Sequence, residues 1–256
     1  MIKSTSLLRK LANYYPQRIA KRHRDYVGTM VGPIPNTINS IVICLDLDET
    51  ILPEILELNP DLIITHHPFF FGSKSYILKH DVHKSYVYNE LKKAKIGVIS
   101  FHTNFDEGKY GMNDALAELL SLENVYAPID EPMMRIGYLK NSMSLNDFVI
   151  FAKKSLNIEY GLLTSNGSST IKKVGIVGGG GSYLYKVAQN EKCDIYISGD
   201  VPHHTRRDII IDKYNYLDVP HEVERIFMPQ MKKILESIDS TLNIKIIDHE
   251  KAPKVI

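Results

Sequence analysis

The chain has 256 residues, 44% of them hydrophobic and 24% charged, with 31 basic and 30 acidic side chains and a formal net charge of +1. This balance is that of an ordinary soluble protein with enough length for a substantial core, in one large domain or two compact ones. It implies no strongly basic face, so nucleic acid is not the expected partner, although Arg206 and Arg207 are adjacent. The apolar run near the N-terminus is broken by Arg9, Lys10, Arg18, Lys21 and Arg22, which excludes it as a membrane span or secretory signal. Cys44 and Cys193 lie in apolar, strand-like surroundings and read as buried free thiols, so the cytoplasm is the expected compartment.

Leu7, Leu8, Leu11 and Tyr15 recur at helical spacing, which predicts a helix over 4–15. Residues 41–47 form a β-branched strand leading through Asp48-Glu49-Thr50 into a helix that Asn59-Pro60 closes. A strand is expected at 62–64, a helix at 80–94, a strand at 96–101 and a helix at 113–122. Beyond Ala127-Pro128 come a strand at 133–139 and a helix that Ser144 caps, with Asp147 three residues on. The second half then alternates: a strand at 174–177, a glycine loop, a helix at 182–190, a strand at 195–198, a helix at 204–213 and a strand at 216–219. A helix over 220–237 and a strand at 244–247 end the series. Such alternation predicts an α/β protein of two α/β halves, residues 1–128 and 129–256, with parallel or mixed sheets and helices on their faces.

Three of these strands end in groups that bind metals. Asp61-Leu-Ile-Ile-Thr-His66-His67-Pro68 stops in two imidazoles, and adjacent histidines can share a site only where the strand has ended, because successive strand side chains point to opposite faces. Pro68 supports that ending, since it has no N–H for the ladder. Asp106 follows the strand at 96–101, where an Asp also serves as a turn former or N-cap, and His102 beside it is a rival ligand or a group that holds substrate. His221 and Glu224 follow Pro220, which suits a first helical turn, and residues three apart on a helix face the same way. Glu222 points about 100° away from His221 on such a helix. Each segment alone also reads as ordinary surface or capping chemistry. Together they supply three imidazoles and two carboxylates, enough for two divalent ions, with Zn, Fe, Mn or Ni all compatible with the donor set.

At these residues the chain resembles the Nif-three-like family, whose members are known as GTP cyclohydrolase 1 type 2 homologues. The resemblance runs over almost the whole length. Asp25-Tyr26-Val27-Gly28 is similar to the family's Trp-Asp-Asn-x-Gly motif, with Arg24 at the Trp position, and residues 45–50 to the strand and turn that follow. Residues 61–68 are similar to its Thr-His-His-Pro segment and 102–106 to its His-Thr-Asn-x-Asp segment. Residues 178–182 are similar to its glycine loop, and Gly199-Asp200 with His204 to its Gly-Asp-x-x-x-His step. Pro220 stands where the family has Gly before its last histidine. The resemblance implies a Nif-three-like fold with a dinuclear site between the halves, and ligands that fall here on His66, His67, Asp106, His221 and Glu224. It also implies a ring-shaped homohexamer, without the extra domain that some members carry mid-chain.

The function expected from this is a metal-dependent hydrolase resembling GTP cyclohydrolase 1 type 2, in which metals lower the pKa of water that attacks a purine nucleotide ring. His102 or His204 would move protons, and the glycine loop with Arg206 would hold phosphates. The glycine loop lacks the Lys-Ser/Thr of a P-loop, and a tight turn for close packing is its other reading. A small-molecule substrate, a nucleotide in this reading, is the expected partner. The same residues would also serve a metal-binding regulatory or scaffold protein without turnover, or a phosphoester hydrolase.

Overall fold

Short runs of Ile, Val and Leu set the sheets. In the first, the strands run in the order Asn243–Ile246, Ser40–Cys44, Leu62–Thr65, Gly97–Ser100 and Gly28–Val31. The first four are parallel, and only Gly28–Val31 runs antiparallel to its neighbour. The three central strands are buried nearly throughout, as parallel strands covered on both faces must be. Register sets Cys44 opposite Thr65 and Thr65 opposite Ser100, so these strands end level with one another. The structure, a computed structural model, describes residues 1–254.

The second sheet has the order Glu123–Tyr126, Arg135–Ser144, Thr170–Ile176, Ile195–Ser198, Asn215–Asp218 and Leu162–Ser165. Its three central strands pair in parallel, and the flanking ones pair antiparallel. Here too the parallel strands end within a residue of one another, with Ile176 opposite Ile197 and Ser198 opposite Asp218. Ligand sites in open α/β sheets form outside these carboxyl ends. Each sheet therefore presents one edge suited to chemistry.

The α/β expectation, with parallel and mixed sheets, describes this architecture. The division of the chain is not the expected cut at 128. One compact unit comprises residues 1–111 and 227–250, and the other 112–226 with 251–254. The reason is pairing at long range: Asn243–Ile246 joins the edge of the first sheet beside Ser40–Cys44, and carries Phe227–Ile238 with it. Met112–Leu119 goes with the second unit, where the Asn113 side chain donates to the Met133 carbonyl and accepts from the Gly178 N–H.

Local signals hold well elsewhere. Asn59 closes the helix Leu52–Leu58 in a left-handed conformation, at φ 44°. Ser144 caps Leu145–Ser155 by accepting from the Asp147 N–H. The expected helix over 220–237 is instead a 3-10 helix, His221–Ile226, followed by the α-helix Phe227–Ile238. Pro229 accounts for the break, because its missing N–H cannot bond back to the residue four before it, and proline is tolerated only in a helix's first turn. Among the described residues no helix is long and apolar enough to cross a membrane. Both cysteines are buried free thiols, and burial pushes Cys193 up to about 12, so neither is poised as a nucleophile.

Candidate metal centre

In the first unit the site is built where three parallel strands stop. The N–H groups of His66 and His67 both donate to the Leu45 carbonyl at 3.1 Å, which turns the chain out of its pleat just past Thr65. Thr65 Oγ1 then donates to the His67 carbonyl, fixing the turn from the strand side. Two adjacent imidazoles can therefore face one place. Their ring centroids are 5.0 Å apart, and that of His102 lies 5.1 Å from His66 and 5.6 Å from His67. One ring nitrogen from each of the three lies within 4.8 Å of the other two.

Each ring is oriented through its Nδ1. His66, fully buried, donates to the Phe101 carbonyl at 2.9 Å. A carbonyl can only accept, so the proton is on Nδ1 and the lone pair of the neutral ring is on Nε2. His67 Nδ1 donates to Asp46 Oδ2 at 2.8 Å, and His102 Nδ1 to Asp25 Oδ2 at 2.8 Å. Acceptors placed behind imidazoles in this way are the usual support of metal-ligating histidines, since they fix tautomer and ring direction. The fourth member is Asp106, whose Oδ1 is 3.5 Å from His66 Nε2.

The His-Thr-Asn-Phe-Asp run explains itself residue by residue. Thr103 donates to Asp25 through both its hydroxyl and its N–H. Asn104 is buried, accepts from the His102 N–H and donates to the Tyr15 carbonyl. Phe105 packs against Tyr15 and Phe227, and Asp106 is thereby turned toward His66. Burial raises the Asp25 carboxyl, but hydrogen bonds from His102 and Thr103 outweigh it and hold the group down at about 2. Burial likewise works against the Asp46 carboxylate, and the His67 hydrogen bond again prevails, so its pKa is lowered.

The second unit carries its own cluster. His221 opens the 3-10 helix His221–Ile226, and in that geometry residues three apart eclipse one another. His221 Nε2 accordingly lies 3.0 Å from Oε2 of the buried Glu224, and its Nδ1 donates to Asp200 Oδ2. The Glu224 hydrogen bond, stronger than the opposing cost of burial, raises His221 to about 9. The imidazole is thus a cation at neutral pH, clamped between two carboxylates. Glu222 instead lines a cavity of about 310 Å³ with Tyr160, Asp200, Asp218 and His221.

The glycine loop serves this cluster by its lack of side chains. Gly179 has φ +60°, and a Cβ there would lie 2.0 Å from Glu224 Oε1 and 3.2 Å from His221 Cε1. The Gly178 N–H donates to Asn113, and the Gly181 N–H to Ser198 Oγ and the Gly179 carbonyl, so these donors are committed within the protein. Close packing, rather than a phosphate cradle, is the role these contacts favour. Arg206, expected near phosphate, pairs with Asp218 at 3.4 Å. His204 is exposed on the helix His203–Ile211, and among the described residues no hydrogen bond joins it to Asp200 or His221.

Sequence reasoning named His66, His67, His102 and Asp106, which share one cluster, and His221 and Glu224, which share the other. It did not name Asp25 or Asp46 as members of the site. No local signal marks them, because the partner histidines are 77 and 21 residues away.

The chain matches the family model described as Duf34/NIF3 (NGG1p interacting factor 3) over residues 2–253. It is 29% identical over 237 residues to a protein of Clostridium perfringens named GTP cyclohydrolase 1 type 2 homolog, covering 90% of each chain. It is 32% identical over 202 residues to the Ureaplasma parvum protein of the same name, covering 75% of this chain and 74% of that one. The structure of a Bacillus cereus protein related to NIF3 superposes with a TM-score of 0.86 at 19% identity, over 100% of this chain and 99% of that one, a likeness that speaks for the fold. This chain belongs to the Duf34/NIF3 family.

Proposed function

We propose that the protein is a metal-dependent hydrolase acting on a purine nucleotide, and that the two clusters are the two parts of one dinuclear centre. In this reading His66, His67 and Asp106, with His221 and Glu224, hold two divalent cations. The observation that carries it is the orientation of His66, His67 and His102, each tied at Nδ1 to an oxygen acceptor so that Nε2 carries the lone pair. Neutral imidazole with carboxylate is a donor set suited to Zn, Fe, Mn or Ni. When bound, such ions lower the pKa of water and stabilise developing negative charge.

The protein's own groups divide the remaining work. Asp46 and the Phe101 carbonyl hold His67 and His66 in direction. His102, backed by the buried Asp25 carboxylate, is the group that takes or returns a proton at Nε2, with Asp25 stabilising the imidazolium that forms. Asp200 fixes His221 at Nδ1. The relatives' name supports a guanine nucleotide as substrate. A homohexamer is part of the same proposal.

The test is turnover by purified, metal-replete protein against GTP and a panel of phosphoesters. Ring opening of GTP that is abolished in His67→Ala, with the fold retained by circular dichroism, supports the proposal. Phosphoester hydrolysis alone redirects the substrate class. Fully loaded protein that turns over nothing is a metal-binding scaffold instead.

A further inference from the structure

The segment after the paired histidines reads Phe69-Phe70-Phe71-Gly72. Its three rings have opposite fates. Phe69 and Phe70 are buried in T-shaped contact at 4.7 Å, whereas Phe71 is 65% exposed. Tyr26, 45% exposed, packs against it with ring centroids 5.5 Å apart. Phe71 in turn stands edge-on to His102 at 6.3 Å. Two large rings are thus left to solvent beside the histidine cluster.

Both are held there firmly. The Tyr26 N–H donates to Asp25 Oδ1, while Oδ2 of the same carboxylate accepts from His102 and Thr103. Phe71 hangs from two anchored phenylalanines, and Gly72 at φ +128° takes the chain away in a conformation that a side chain would strain. Leaving an aromatic face in water forgoes the gain of burying it, and fixed aromatic faces next to reactive groups are what planar heterocycles stack upon.

We propose that Phe71 and Tyr26 form a stacking platform for the purine ring of the substrate, setting which part of it lies against His102. This specificity role rests on the hydrolase reading above, in taking the histidine cluster as the reacting centre and a purine nucleotide as its substrate. Phe71 is the principal contact and Tyr26 its support. The platform selects for a flat ring and is indifferent to phosphate number.

The chain contains no tryptophan, so Phe71→Trp introduces a single tryptophan at the platform, excited apart from the tyrosines. Metal-replete Phe71→Trp protein would be titrated with guanosine 5′-monophosphate and, in parallel, with ribose 5-phosphate, which lacks the base. Saturable quenching by the nucleotide alone is expected. By calorimetry, Phe71→Ala should weaken nucleotide binding about tenfold or more with metal content unchanged, and Phe71→Tyr should restore it. Absence of quenching, or nucleotide affinity unaltered in Phe71→Ala, overturns the proposal. A changed oligomeric mass with unaltered affinity overturns it too, and makes the pair a contact between copies. Failure of the hydrolase reading registers separately, as missing metal or missing turnover.

Discussion

Gly179 and Glu224 touch so closely that a Cβ on the glycine would sit 2.0 Å from the glutamate Oε1. The carboxylate that pairs with His221 Nε2 can occupy its place only because this residue has no side chain. Gly179→Ala should therefore displace Glu224. It should destabilise the protein by about 1–3 kcal/mol from the left-handed backbone alone, beyond the clash. Metal content should fall further than stability does. Gly32→Ala is the control, since its Cβ would meet nothing nearer than 3.9 Å. Metal analysis and thermal melting of both variants check the difference.

Asp25 touches no proposed ligand atom, yet it holds His102 and Thr103 together. Removing an acceptor behind a metal-site histidine typically costs about 10–100-fold in affinity or activity. Asp25→Ala should fall in that range for turnover, and the pH–rate profile should lose the limb that His102 contributes. A purely structural role would lower the amount of active protein and leave the profile's shape unchanged.

How much of this was legible beforehand follows from range. Ile195–Ser198 and the caps at Asn59 and Ser144 were readable because a few neighbouring residues decide them. Glu123–Tyr126 was not, since all four residues are exposed and no alternation marks the strand. Leu162–Ser165 and Gly28–Val31 are short edge strands recruited by pairing. The histidines and carboxylates of the site were legible as types at strand ends. Asp25 and Asp46 were not, because only the folded sheet sets them behind His102 and His67. The glycine loop looked equally suited to phosphate until Glu224 was seen against Gly179.

Two groups make the pH behaviour specific. Asp25 is depressed from 3.8 to about 2, so its contribution to stability is present above 3.8 and is lost as pH falls through about 2. Asp25→Asn should remove part of the apo protein's acid transition in that window, read by chemical denaturation at successive pH values. His221 is raised to about 9 and must lose its proton to bind a metal. Affinity at that cluster should climb about tenfold per pH unit from about 7 to about 9 and then level. Competition with a chelator of known pH dependence measures the slope.

His66 and His67 should separate when stability is measured without metal. His66 is fully buried, packs 5.0 Å from the Phe227 ring and donates to the Phe101 carbonyl. His66→Ala leaves that acceptor and a void, at a cost of about 2–4 kcal/mol. His67 is partly exposed, and His67→Ala should cost about 1 kcal/mol or less. Urea denaturation of the two apo variants decides this.

The central claim is that both clusters serve one pair of cations. The direct measurement is metal content per chain together with anomalous scattering from crystals of the loaded protein. The account predicts two ions per chain, ligated by His66, His67 and Asp106 and by His221 and Glu224, with stoichiometry reduced by either His67→Ala or His221→Ala. Protein that takes up no metal, or whose metal content is indifferent to both substitutions, would contradict it.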